Sequence, residues 1–82
     1  MNWKDAIEQE AKEHNDKLIS CTLTEKEALV EFDDGYGCTE GKTFTAWGVD
    51  RVYFPVVYDG SEWVDSAPRD PCNEATMHVG GG

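Results

Sequence analysis

The dipeptide Asp59-Gly60 separates two stretches of alternating residues and restricts the second half of the chain to a β-hairpin. Asp-Gly favours a tight two-residue turn because both turn residues must adopt positive φ. We therefore predict strands over Arg51–Tyr58 and Ser61–Asp65. Pro55 has no backbone N–H to donate, so the first strand must lie at a sheet edge or contain a bulge.

The first 16 residues predict a helix over residues 2–16. Its apolar positions recur at spacings of three and four, which places them on one narrow stripe suited to packing on a sheet. Asn2 precedes the stripe and can cap the first helical turn. The stripe consists of Trp3, Ile7, Ala11, His14 and Leu18.

The period changes from helical to two after Asp16, which is typical of strands. One strand is predicted through Ile19–Leu23 and a second over Ala28–Asp33, joined by a short connection near Glu25-Lys26. A third strand is predicted over Thr43–Trp47. Residues 33–41, between the second and third predicted strands, are rich in Asp and Gly and predict an exposed acidic loop.

This order of elements predicts an α+β fold, with the N-terminal helix packed on a curled antiparallel sheet of about four to five strands. We assign residues 1–66 to a single α+β domain. Residues 67–82 are predicted to form an extended C-terminal tail, because hydrophobicity falls there and the chain ends in three glycines.

Seventeen acidic residues against seven basic ones in 82 positions give a formal charge of −10. A chain so acidic repels nucleic acid and anionic membranes, so direct binding to either is not expected. No apolar run approaches the roughly 18 residues of a membrane span, and the N-terminus lacks signal-peptide features. We expect a protein of the cytosol, monomeric or homodimeric. Its three cysteines cannot all pair within one chain, which favours reduced thiols.

No motif for catalysis, a cofactor or a metal is present, which predicts a binding protein rather than an enzyme. Cys38, Asp70, Cys72 and His78 could together supply four zinc ligands. However, structural zinc sites usually take two ligands from one tight knuckle, and this chain has no such cysteine pair. We therefore expect neither a metal nor a cofactor.

The sequence VYFPVVYDGSEWV at 52–64 continues into SAPRDP at 66–71 and is preceded by FTAW at 44–47. This segment resembles one found in short uncharacterised proteins encoded by tailed bacteriophages and prophages. The likeness covers about the C-terminal half of the chain, and none of its residues has an assigned chemical role. It implies a phage context, in which small acidic cytosolic proteins commonly bind and block a host protein.

The phage context and the negative charge together suggest surface mimicry, since carboxylates spaced like phosphates can occupy a basic groove on a host nucleic-acid-binding defence or regulatory protein. Phage anti-restriction and anti-CRISPR proteins are similar in size and acidity. The contrasting interpretation is that the acidic surface only keeps the protein soluble. Candidate contact residues are the loop acids Asp33, Asp34 and Glu40 and the helix acids Glu10, Glu13 and Asp16.

Two other function classes stay open. The two arginines lie in the aromatic-rich second half, where they could help to line a pocket for a planar anion such as a nucleotide signal. Alternatively, the aromatic residues form the core and the arginines pair with nearby acids. A structural role as a minor virion or assembly component is the third class. The candidate ligand-binding residues are Arg51, Arg69, Trp47, Tyr53 and Trp63.

Overall fold

The computed structural model describes residues 1–32 and 41–79. These residues form helices α1 (Trp3–Glu13) and α2 (Glu25–Ala28), together with the strands of one antiparallel sheet in the order β1-β2-β3-β4. The prediction of an α+β fold with an N-terminal helix on a curled antiparallel sheet is confirmed. The strands are β1 (Leu18–Cys21), β2 (Ala46–Gly48), β3 (Arg51–Tyr58) and β4 (Ser61–Pro68).

Helix α1 begins where the sequence predicts but ends earlier. The Asn2 side chain caps it by accepting a hydrogen bond from the Asp5 backbone N–H at 2.8 Å. The helix ends at Glu13 rather than Asp16, because Asn15 takes a positive φ of 54°, which is incompatible with continued helical hydrogen bonding.

The β3–β4 hairpin closes on the predicted turn. Asp59 and Gly60 have φ values of 51° and 83°, the two positive values that a tight turn of this kind requires. Strand β4 continues to Pro68 instead of ending at Asp65. Strand β2 pairs with Val52 and Tyr53 of β3 but not with later residues. Among the described residues, no strand is therefore paired with β3 at Pro55 on the β2 side.

The strand predicted over Ala28–Asp33 is wrong for its described part, where the chain instead forms α2 and then irregular structure. The cause is a capping box: Thr24 Oγ1 accepts from the Glu27 N–H at 3.1 Å, and Glu27 Oε1 accepts from the Thr24 N–H at 2.9 Å. Glu27 also accepts from Lys42 Nζ at 2.7 Å, and this contact together with the hydrogen bonds to Thr24 lowers the pKa of Glu27 to about 2. The third strand, predicted over Thr43–Trp47, is observed as β2.

The core lies between α1 and one face of the sheet, here called the inner face. Trp3 and Tyr53 are its largest fully buried side chains. Directly opposed residues of antiparallel strands point to the same side of the sheet, and successive residues alternate between its sides. The register therefore assigns alternate residues to the opposite, outer face, on which no helix of residues 1–32 and 41–79 lies. The buried core consists of Trp3, Ile7, Ala11, Phe44, Ala46, Tyr53 and Val64. The outer face consists of Trp47, Val52, Phe54, Val56, Tyr58, Trp63, Asp65 and Ala67.

Candidate functional site

Glu10, predicted as a contact acid, lies against the sheet. Its Oε2 accepts from the Ser66 hydroxyl at 3.0 Å and is 3.0 Å from His14 Nε2. Its side chain is only 14% exposed. Glu10 therefore ties α1 to β4, and little of its carboxylate is available to a partner.

Asp16 is also held by internal contacts. Its Oδ2 accepts from the Tyr53 hydroxyl at 2.6 Å, and its Oδ1 accepts from the backbone N–H groups of Lys17 and Asp50 at 2.8 and 3.0 Å. Although burial opposes ionisation, these hydrogen bonds hold the pKa of Asp16 below its usual value. Burial and the bond to Asp16 raise the pKa of Tyr53.

Glu13, by contrast, is exposed to solvent at the end of α1. The structure therefore does not bring Glu10, Glu13 and Asp16 together as one exposed acidic row. The loop acids of the prediction, Asp33, Asp34 and Glu40, lie outside the described residues.

Arg51 clamps the tail to the sheet. Its Nη1 and Nη2 donate to the two carboxylate oxygens of Glu74 at 3.1 and 3.0 Å, and its Nε donates to Ser66 Oγ at 2.8 Å. The same contact with Arg51 lowers the pKa of Glu74. Arg51 is 8% exposed, so its positive charge is satisfied within the protein.

The five candidate ligand-binding residues do not share a pocket. Arg51 and Tyr53 belong to the inner face, whereas Trp47 and Trp63 belong to the outer face. Arg69 donates from Nη1 to the Gly48 carbonyl at 3.0 Å. The depression beside Arg51 has a volume of about 450 Å³ and is lined by three carboxylates and none of these aromatic residues, a lining unsuited to an anion. Its carboxylates are Asp50, Asp70 and Glu74.

The outer face instead presents a continuous set of apolar side chains. Trp47 pairs with Val52, and Trp63 pairs with Val56 in the next pair of strands. Val56 is only 7% exposed although no helix of the described part of the chain lies over this face, whereas Trp47 and Trp63 are half-buried. Cross-strand aromatic and β-branched neighbours at this spacing cover one another. The face is therefore already ordered and leaves part of each indole ring in solvent.

Negative charge lies on and beside this apolar face. Asp65 lies on it opposite Phe54, and Asp59 lies in the adjoining β3–β4 turn. Within residues 1–32 and 41–79, neither of these carboxylates forms an ion pair. All the lysines of the chain lie at or before position 42.

The outer face was not among the candidate sites, because alternation within Arg51–Tyr58 predicts a strand but does not show which of its faces a helix covers. Within residues 1–32 and 41–79, the second helix, α2, has only four residues and lies beside α1 rather than over the outer face. An alternating apolar strand in a chain with one long helix is the signal that could have identified this face.

The part of the chain that the structure describes contains no group of three His, Cys, Asp or Glu side chains able to hold a metal ion. Neither of its helices is both long and apolar enough to cross a bilayer. Its two cysteines, Cys21 and Cys72, carry free thiols. Comparison of the chain with protein-family models, with curated proteins and with solved structures gave no match.

Proposed function

We propose that this chain is a small acidic binding protein of phage or prophage type, which inhibits or modulates a host protein by surface mimicry and without chemistry. The observation that carries the proposal is the outer face. Among the described residues, no helix covers its aromatic side chains, and Asp59 and Asp65 on or beside it form no ion pair. Exposed apolar patches with polar borders are typical of protein interaction sites.

The aromatic residues of this face suit the centre of an interface. Trp47 and Trp63 are rigid, large and held by their cross-strand neighbours, so little conformational entropy is lost when a partner covers them. Tryptophan is enriched among the residues that contribute most to protein–protein affinity. Because Tyr58 on the same face is 51% exposed, a partner could bury additional aromatic surface at the hairpin end.

The charge distribution favours a basic partner. Asp65 lies on the outer face and Asp59 in the turn beside it, and the whole chain carries −10. A second copy would bring like charges together across the same face, which opposes face-to-face self-association. The partner that fits is a protein surface with an apolar centre and cationic residues around it, as on a nucleic-acid-binding protein.

Of the helix acids first predicted, only Glu13 is kept in this proposal. Glu10 and Asp16 serve internal contacts, so mimicry by the outer face depends on Glu13 and on the acids of that face. The contribution of the loop acids 33, 34 and 40 stays a prediction.

Affinity capture from a nuclease-treated bacterial lysate, at low and moderate salt, tests this function. We expect a basic nucleic-acid-binding protein that is retained at low salt, weakened by added salt and displaced by added DNA or RNA. Displacement by nucleic acid is the decisive result, because capture alone does not show that the partner's basic surface is occupied. The bound protein is identified by mass spectrometry.

Retention of a partner that is unchanged by both added salt and added nucleic acid would contradict mimicry. Stoichiometric recovery of the protein in purified virions, with no lysate partner, would reject the inhibitor role and favour an assembly component. Reproducible absence of any partner, together with a thermal shift from a nucleotide, would favour the sequestration of a small anion instead.

A further inference from the structure

We propose that the free edge of β1, together with the apolar groove between α1 and α2, binds an extended basic peptide segment of a partner protein as an added strand. This surface is separate from the outer face, and the inference does not depend on the proposed function. In the described part of the chain β1 pairs only with β2, so its other edge has no paired strand. Backbone groups along such an edge are available to pair with another strand.

The groove lies directly beside this edge, on the inner side of the sheet. It has a volume of about 270 Å³ and lies between α1, α2 and β1. Ile7, Ala28 and Ala46 form its buried walls, with exposures of 4%, 8% and 1%. Because side chains alternate across a strand, every second side chain of an added strand would enter this groove.

Ile19 provides a second apolar contact for an added strand. It belongs to β1, lines the groove, and is 59% exposed, which is unusual for a large β-branched residue in a strand. An isolated exposed isoleucine needs no explanation, but this one adjoins both an apolar groove and an unpaired edge. Covering it would add apolar contact to the backbone hydrogen bonds of the new strand.

The charges at the groove specify a basic segment. Glu8 and Glu25 line it from the two helices and share the single cation Lys4, whose Nζ is 3.8 Å from Glu8 and 3.9 Å from Glu25. Two carboxylates with one shared ammonium leave a local negative charge, in a chain whose total is already −10. A lysine or arginine of the peptide is therefore favoured, whereas a second copy of this chain is opposed by repulsion.

Titration of the intact protein with the peptide acetyl-Lys-Thr-Val-Thr-Val-Thr-Lys-amide, followed by amide-resolved NMR, tests this inference. Its lysines and valines lie on the same face of an extended strand and can enter the groove together. We expect the largest shifts at Leu18–Cys21 and at the groove residues of α1 and α2. A control peptide of the same sequence, N-methylated at every residue, keeps the charge but has no backbone N–H along its length to donate to β1. We expect it to bind at least about tenfold more weakly, the effect of losing one or two hydrogen bonds.

Two matched variants separate the strand edge from general charge attraction. Ile19→Ser removes a 59% exposed side chain at the groove, and Val30→Ser removes a 60% exposed side chain that does not line it. We expect Ile19→Ser to weaken peptide binding about three- to tenfold and Val30→Ser to leave it unchanged, since one exposed apolar contact contributes about 1 kcal/mol. Both variants should keep the amide spectrum of the folded protein.

Equal binding of the two peptides, or shifts located at Trp47 and Trp63, would overturn the inference. The second result would mean that the outer face takes basic peptides and that the β1 edge does not. Loss of capture in the lysate experiment would leave these peptide results unaffected, so failure of this inference is distinguishable from failure of the proposed function.

Discussion

Replacing Trp3 by alanine should lower the free energy of unfolding by about 3–5 kcal/mol, the range for truncating a large buried aromatic residue. Trp3 is 2% exposed and packs against Phe32 and Phe44, with ring centroids 4.8 and 5.0 Å away. Its indole N–H donates to the Lys42 carbonyl at 2.9 Å. Domains of this size are stable by only about 5–15 kcal/mol, so the variant should lose a large part of its stability.

The effect should be large because Trp3 joins three separate parts of the chain. It joins α1 to Phe32 and to the segment that contains Lys42 and Phe44, and Gly41 lies close to its ring. A Cβ added at Gly41 would lie 2.6 Å from the Trp3 ring. Urea denaturation followed by circular dichroism measures the loss.

Two further variants make this prediction specific. Trp3→Phe keeps most ring contacts but loses the bond to Lys42, so we expect a smaller cost, about 1–2 kcal/mol. Trp63→Ala alters a half-buried tryptophan on the outer face and should cost less than Trp3→Ala. Equal losses for the two alanine variants would contradict the assignment of the core to the inner face.

Replacing Asp16 by alanine should cost about 2–3 kcal/mol, because it leaves the hydroxyl of Tyr53 and two backbone N–H groups without their acceptor. Tyr53 is fully buried, so its hydroxyl has little access to replacement water. Asp16 also fills the space above Gly48, where a Cβ would overlap its carboxylate. Urea denaturation again gives the loss.

A double-mutant cycle isolates the contact between Asp16 and Tyr53. Tyr53→Phe removes only the hydroxyl. Its cost in free energy of unfolding should be about 1–2 kcal/mol smaller in the Asp16→Ala background than in the wild type, which is the usual coupling energy of directly bonded groups. Additive losses from the two substitutions would show that the hydrogen bond contributes nothing to stability.

Low pH should reproduce, in the wild-type protein, part of the loss of stability expected for Asp16→Ala. The pKa of Asp16 is lower in the folded state than its reference value of 3.8, so the unfolded state binds its proton first as the pH falls. The stability that Asp16 contributes is therefore complete above about pH 5 and is lost as the pH falls through its folded-state pKa. Asp16→Ala should show a shallower decline between about pH 5 and 2. An unchanged slope would contradict the ionised contact.

Local patterns were sufficient to predict the two best-defined elements. The spacing of Trp3, Ile7 and Ala11 and the cap at Asn2 located α1, and the turn residues Asp59-Gly60 located the β3–β4 hairpin. These features depend on residues close together in the sequence, whose conformational preferences act before any tertiary contact forms.

The prediction of a strand after Leu23 failed because alternation of apolar residues was given more weight than helix capping. Thr24 and Glu27 match the capping-box signature, which was present in the sequence and would have indicated α2. The apolar residues that alternate in this segment do not lie on one buried strand face, because Phe32 packs on Trp3 whereas Val30 is 60% exposed.

The roles of the acids could not be predicted from the sequence in the same way. Glu10 and Asp16 look like surface residues of a helix and its end, yet their partners Ser66 and Tyr53 are 56 and 37 positions away. Only the pairing of β3 with β4 and the placement of α1 bring these groups together. A charged residue is therefore a reliable contact candidate only after its internal partners are known.

The central claim is that the outer face binds the partner, and capture with outer-face variants tests it most directly. We compare how much partner is retained from the same lysate by the wild type, by Trp63→Ser and Tyr58→Ser, and by the control Leu29→Ser. Leu29 is 46% exposed and lies on another surface. Circular dichroism verifies that each variant is folded. If Trp63→Ser does not fold, Tyr58→Ser provides the test. We expect Trp63→Ser to reduce retention at least about tenfold, as for a central interface tryptophan, with a smaller loss for Tyr58→Ser and none for Leu29→Ser. Wild-type retention by both folded outer-face variants would contradict the claim.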